Sequence, residues 1–183
     1  MDHCMVDIET LDTRPSGVIL SIGAVKFDFP ALVDLEDTFY VNISIASSLK
    51  ADCTVEGRTI QWWFSQSKAA QTALFKPEPI GFHEALSAFR RWYGERPLLT
   101  WSHGSNFDLT LIGAAYDKLG QQPPWKYRDV RDTRTLFWLA PGYAQAMERT
   151  QVREMNFVRH NALDDAKRQV QWVQTAIRLL KEV

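Results

Sequence analysis

Cysteine is scarce: the chain has two, Cys4 and Cys53, among 183 residues. That scarcity excludes a disulfide framework and a Cys/His zinc cluster, and it fits a reducing compartment, so a cytoplasmic location is expected. Cys4, inside an apolar run, is expected to pack as a small apolar side chain. Long apolar runs are missing as well. None reaches the roughly 20 residues of a membrane-spanning helix, so no membrane partner is expected. The opening residues, Met1 to Cys4, have neither the basic start nor the apolar stretch of a secretory signal. Charge of one sign is also absent: 21 Lys and Arg against 22 Asp and Glu leave a net charge of −1. A protein that coats duplex nucleic acid carries a basic excess, whereas an enzyme that holds a few nucleotides at a chain end needs none. Repeats, low-complexity stretches and linker-like segments are missing too, and the length suits one domain over residues 1–183 with an ordinary core.

What the chain does have is a legible order of elements. Apolar and β-branched residues predict strands over 4–10, 18–27 and 38–44, with Pro15 and Gly17 marking a turn between the first two. Residues 59–64 and 67–75 predict two short helices with Ser or Thr caps, and Pro77 and Pro79 end that region. Phe82, Ala85, Leu86, Phe89 and Tyr93 fall at helical spacing over 81–94. A strand over 97–102 and a helix over 106–119, stopped by Gly120, come next. A strand over 125–130, a helix over 133–139 and an amphipathic helix over 161–180 complete the series, the last with Ala162, Ala166, Val170, Val173 and Ile177 on one stripe. The order βββαβαβα predicts an α/β layer fold with a mixed sheet.

Five polar residues stand out against this frame. Alternation puts Val6 and Ile8 on one face of the first strand and Asp7 and Glu9 on the other, where two neighbouring carboxylates repel unless a cation lies between them. Asp108 falls at a helix start just beyond a strand end, where open α/β sheets collect ligands. His160 and Asp165 are about 1.4 helical turns apart and can face one cleft. A single Asp-x-Glu on a strand is usually a solvated face, but the full set points to metal ligation. Its hard oxygen donors suit Mg²⁺ or Mn²⁺. Asp164 reads as a helix N-terminal charge. Trp62, Trp63 and Phe64 read as a packed helix, a base-stacking platform or a subunit contact. Arg128, Arg131 and Arg134, interleaved with Asp129 and Asp132, can grip phosphates or form internal ion pairs.

Asp7-Ile8-Glu9-Thr10, Asn106-Phe107-Asp108 and His160-x-x-x-x-Asp165, in this order, resemble the DEDDh 3′→5′ exonucleases of the ribonuclease-H-like fold, over essentially the whole chain. Thr59-Ile60-Gln61-Trp62-Trp63 with Ser65-Gln66-Ser67, Arg131-Asp132-x-Arg134-Thr135 and His160 to Ala166 are similar to the branch that holds exoribonuclease AS and several phage exonucleases. The resemblance implies a mixed five-stranded sheet flanked by helices and two Mg²⁺ or Mn²⁺ ions about 4 Å apart. It implies that Asp7 bridges them, that Glu9 and Asp165 complete one site, that Asp108 holds the second ion through water, and that His160 is the general base. Thr10, Leu11, His103, Asn106 and Phe107 then fall at substrate-contacting positions, with His103 also readable as a structural loop residue.

The expected reaction is hydrolysis of single-stranded RNA or DNA 3′ ends, or short overhangs, to nucleoside 5′-monophosphates, with activity rising from mildly acidic to mildly alkaline pH. Two departures matter: Thr10-Leu11-Asp12 replaces the Thr-Thr-Gly of proofreading relatives, and His103 stands where the nearer branch often has Asn. Relatives often form homodimers, which makes Trp62 to Phe64 a candidate contact. The alternatives are a catalytically silent nucleic-acid-binding module or an accessory subunit of a replication or recombination complex.

Overall fold

The computed structural model describes residues 1–29, 35–140, 142–144 and 157–181. Strands β1 (His3–Thr10), β2 (Ile19–Phe27) and β3 (Thr38–Asn42) form an antiparallel meander, as their consecutive apolar runs predict. β4 (Leu99–Ser102) and β5 (Val130–Asp132) join the other side of β1 in parallel, which gives a mixed five-stranded sheet of order β3-β2-β1-β4-β5. β1 therefore lies in the middle, and both of its faces are covered.

Alternation along β1 sorts its side chains between two cores. Cys4, Val6 and Ile8 pack with residues of α4 (Phe82–Tyr93) and α5 (Asp108–Lys118), among them Leu86, Phe89, Ile112 and Tyr116. Met5 faces the other way, with Val25, Trp101 and the apolar stripe of the C-terminal helix. Here that helix is α7 (Ala162–Lys181), and Ala166, Val170 and Val173 carry the contact while α6 (Thr133–Leu139) packs beside it. Cys4 is a buried free thiol, and desolvation pushes its ionisation well above the usual range.

The structure changes the expected elements in three places. A further helix, α1 (Ile45–Lys50), follows β3 because the Ser44 side chain accepts from Ser47 N–H and ends the strand. Helix α2 (Gly57–Phe64) is capped by Glu56 rather than by Ser or Thr: its Oε2 accepts from the backbone N–H of Thr59 at 2.9 Å. Its successor α3 (Lys68–Ala73) does take the expected Ser67 cap. The strand expected over 125–130 is instead a 3₁₀ turn at Tyr127–Asp129 that leads into β5. Pro123 and Pro124 just upstream offer no ladder donors, and pairing starts only where Val130 meets Thr100. No described helix is long and apolar enough to cross a membrane.

Candidate active site

The second half of β1 supplies the first two acids. Asp7 and Glu9 share the face that α7 covers, and Asp7 is paired across the sheet with Gly23 of β2. An ideal Cβ on Gly23 would lie 2.2 Å from the carbonyl carbon of Ala162 and from Leu163 N, far inside contact distance. The missing side chain is what lets the first turn of α7 rest directly on the sheet.

That docking brings in the last acid of the set, Asp165. Ligand-capable atoms of Glu9, His160 and Asp165 all lie within 4.8 Å of one another. The approach to α7 is fixed locally: His160 adopts a left-handed backbone (φ 64°) and donates its N–H to Asp165 Oδ2 at 2.8 Å. Asn161 Oδ1 accepts from the N–H groups of Leu163 and Asp164, each at 3.1 Å. Asp164 does more than add charge to a helix end, since its Oδ2 accepts from Val158 N–H at 2.8 Å and ties down the preceding loop.

Asp108 arrives from the opposite layer. The paired register of β1 with β4 ends at Met5 and Trp101, so the N–H of Ile8 is free of the ladder and donates to Asp108 Oδ1 at 3.3 Å. The start of α5 thus fills the gap where two parallel strands part. The helix begins at Asp108 rather than at residue 106 because the preceding residues form a turn, with Phe107 N–H bonded to the Gly104 carbonyl.

Desolvation dominates the electrostatics. Burial raises Asp7 well above the carboxylate range, and the charges of Asp108, Glu9 and Asp165 add to it. Glu9 is pushed up to about 8, by burial first and then by Asp165 and Asp108. Asp108 rises to about 7, again chiefly through burial. Asp165 is raised too, although Arg168, whose Nη2 lies 3.0 Å from Asp165 Oδ1, pulls the other way. Among the described residues this is the cluster's one ion pair. His160 is lowered, because burial outweighs the attraction of Asp165, so its imidazole is neutral at pH 7.

Helix α2 closes one side. Trp63 is buried and its Nε1 donates to the Thr10 carbonyl at 2.8 Å, so it packs and is not available as a subunit contact. Trp62 meets the His160 ring edge to face, with 4.8 Å between centroids. Glu9, Thr10, Arg58, Trp62 and Phe107 line a cleft of about 840 Å³ beside the acids.

Leu11, His103 and Asn106 are not among the residues that line this cleft. Leu11 packs partly against the core, and Asn106 is exposed. His103 is tied to α6, its Nδ1 at 2.8 Å from Thr133 Oγ1 and its ring near Phe137 and Trp172. Among the described ion pairs none joins Arg128, Arg131 or Arg134 to Asp129 or Asp132. Asp132 instead caps α6 and accepts from Ser105 N–H at 2.6 Å, and Arg131 donates to the carbonyls of Arg128 and Val130.

One residue of the site was absent from the sequence expectations. Gln169 of α7 donates through Nε2 to Asp7 Oδ1 at 2.7 Å. The signal for it was a polar residue at helical spacing within the apolar stripe, three after Ala166 and four before Val173.

Over residues 2–177 the sequence matches the model of the Rv2179c-like 3′-5′ exoribonuclease domain. The structure is similar to a solved exonuclease I (TM-score 0.62, 13% identity, covering 98% of this chain and 40% of that one). It is also similar to an exonuclease I from Methylocaldum szegediense (TM-score 0.59, 14% identity, 98% and 40%) and to a product-bound exonuclease I (0.59, 12%, 100% and 46%). The chain thus spans less than half the length of each, and at these identities the likeness is one of fold: ribonuclease-H-like α/β. Comparison with curated protein sequences gives no significant match.

Proposed function

Because the chain belongs to the Rv2179c-like 3′-5′ exoribonuclease domain family, and is by that membership a 3′→5′ exonuclease, we propose that it trims single-stranded RNA from the 3′ end. The products are nucleoside 5′-monophosphates, and the reaction depends on Mg²⁺ or Mn²⁺. One observation carries this reading: Asp7, Glu9, Asp108 and Asp165, drawn from distant parts of the chain, gather in one partly desolvated cluster with a single ion-pair partner among the described residues. Four carboxylates so placed need external positive charge, and their hard oxygen donors fit Mg²⁺ or Mn²⁺. The buried Oε1 of Gln169, which takes no hydrogen bond within the described structure, adds an acceptor for a water that such ions carry.

Asp7, Glu9, Asp108 and Asp165 would hold the ions. Divalent cations held there would lower the pKa of bound water and stabilise the leaving oxygen. His160 takes the proton of the attacking water on its imidazole. Burial keeps that ring neutral and hence able to accept, while Trp62 packs across it and limits its motion. In the adjoining cleft, Trp62 and Phe107 present rings to the terminal bases and Arg58 presents a cation to the phosphates. A silent binding module has no use for all five filled positions.

The test is digestion of matched 5′-labelled single-stranded RNA and DNA, in Mg²⁺ or EDTA, with Asp7→Ala as control. The expected result is a metal-dependent ladder that shortens from the 3′ end, faster on RNA, with a loss of about 10³-fold or more in the variant. No cleavage of either strand by folded wild-type protein would refute the proposal.

A further inference from the structure

Gln169 is 5% exposed, and an amide that deep in an apolar stripe needs a reason. Its neighbours on the same face of α7 are Ala162, Ala166, Val170 and Val173, all fully buried. Its Nε2 makes one short bond, 2.7 Å to Asp7 Oδ1, and its Oε1 is buried with no partner in the described structure. Against an ionised Asp7 the orientation of the amide is determined by chemistry: turned over, it would set Oε1 against a carboxylate oxygen, acceptor against acceptor. The helix cannot slide to relieve a misfit either, since the close approach at Gly23 fixes its first turn on the sheet.

We propose that Gln169 is a positioning residue of the acidic centre, which pins the Asp7 carboxylate by a neutral hydrogen bond and so presents its other oxygen for a divalent cation without cancelling its charge. This rests on the reading of Asp7 as a metal ligand. Arg168 shows the contrast one residue earlier: its guanidinium orients Asp165 but neutralises it in doing so. A Lys or Arg at 169 would orient Asp7 equally well and compete with the cation. An apolar residue would leave the charge intact and the rotamer free. Only a neutral donor does both, and the length of Gln spans the distance from the helix backbone to the sheet.

Metal binding, measured directly, separates these roles. The variants are Gln169→Met, close in shape with no donor, and Gln169→Lys, a donor that carries charge. Mn²⁺ affinity is read by calorimetry and by the electron paramagnetic resonance signal of free Mn²⁺, beside the metal dependence of cleavage. Both variants are expected to weaken Mn²⁺ binding about tenfold or more, the range that loss of a ligand-orienting partner produces. In Gln169→Met, added metal relieves the activity defect. The wild-type protein gives an independent readout in the side-chain amide resonances of Gln169, which should shift on addition of Mg²⁺. Folded Gln169→Met with Mn²⁺ affinity within twofold of wild type, or amide resonances indifferent to Mg²⁺, overturns the proposal. If Asp7→Ala itself binds Mn²⁺ as wild type does, the metal-site reading fails first, whatever Gln169 does.

Discussion

Two buried acidic regions lie within a few residues of each other, and they solve the same problem in opposite ways. Asp12, just past the end of β1, is 0% exposed, yet its carboxylate is met by Arg14 Nε at 3.0 and 3.1 Å, by Arg14 Nη2 at 2.5 Å and by Thr54 Oγ1 at 2.6 Å. Those bonds, Arg14 foremost, outweigh burial and hold it well below the usual carboxylate range. Glu9, three residues earlier, is almost as buried and has acids for neighbours, so it rises to about 8. Burial alone therefore says little. A desolvated carboxylate with its cation supplied by the chain is a structural joint, and one without it is a place where something else binds.

The contrast is broken most severely at the acids themselves. Glu9→Gln should abolish metal-dependent cleavage, by about 10³-fold or more, whereas Asp12→Ala should leave cleavage measurable at temperatures where the variant is folded. His160→Gln comes next. Removing a general base should lower kcat by about 10²-fold or more with little change in the circular dichroism spectrum. In the wild type at saturating metal, the acid limb of the rate profile should fall at or below about 6.5, because burial lowers this histidine. A limb clearly above that value would exclude it as the base.

Metal affinity sharpens the comparison further. With Glu9 near 8 and Asp108 near 7, cations must displace protons, so the apparent Mn²⁺ affinity should tighten several-fold between pH 6 and 8. Calorimetry in two buffers of different ionisation enthalpy should register the released protons, and their absence would show the acids to be ionised already.

Stability gives the smallest effect but the clearest opposition of sign. Glu9 has a folded pKa raised above its unfolded value, so its contribution is present at acidic pH and lost as pH rises through about 8. Asp12 is depressed, so its contribution is present above about pH 4 and lost as pH falls through its lowered folded value. In EDTA at pH 8, Glu9→Gln should thus raise Tm by a few degrees and do little at pH 5. Asp12→Ala should cost about 1–3 kcal/mol near neutrality, and progressively less in acid.

How much of this could be read from the chain alone follows the range of each signal. The period of two along β1 assigned Asp7 and Glu9 to one face correctly, because alternation is a local property of a strand. The helical stripe over 161–180 was equally legible. Asp108 could be placed at a helix start, but not its bond to Ile8 N–H, which exists only because β1 and β4 part after Trp101. Gln169 stood in plain view on the stripe, yet nothing within a turn of it names Asp7, 162 positions away, as its partner. Trp63 is the converse case: packing was one of three readings of its aromatic run, and only the Thr10 carbonyl shows what holds it inward.

The contact at Gly23 has a consequence in time as well as in space. A chain made from its N-terminus carries Asp7, Glu9 and Asp108 long before His160, Asp165 and Gln169 exist, and the bare backbone of Gly23 keeps a berth open for them on the finished sheet. Until α7 settles there, the centre lacks His160, Asp165 and Gln169. A single methyl group at Gly23 would hold that helix off the sheet and leave the centre half assembled.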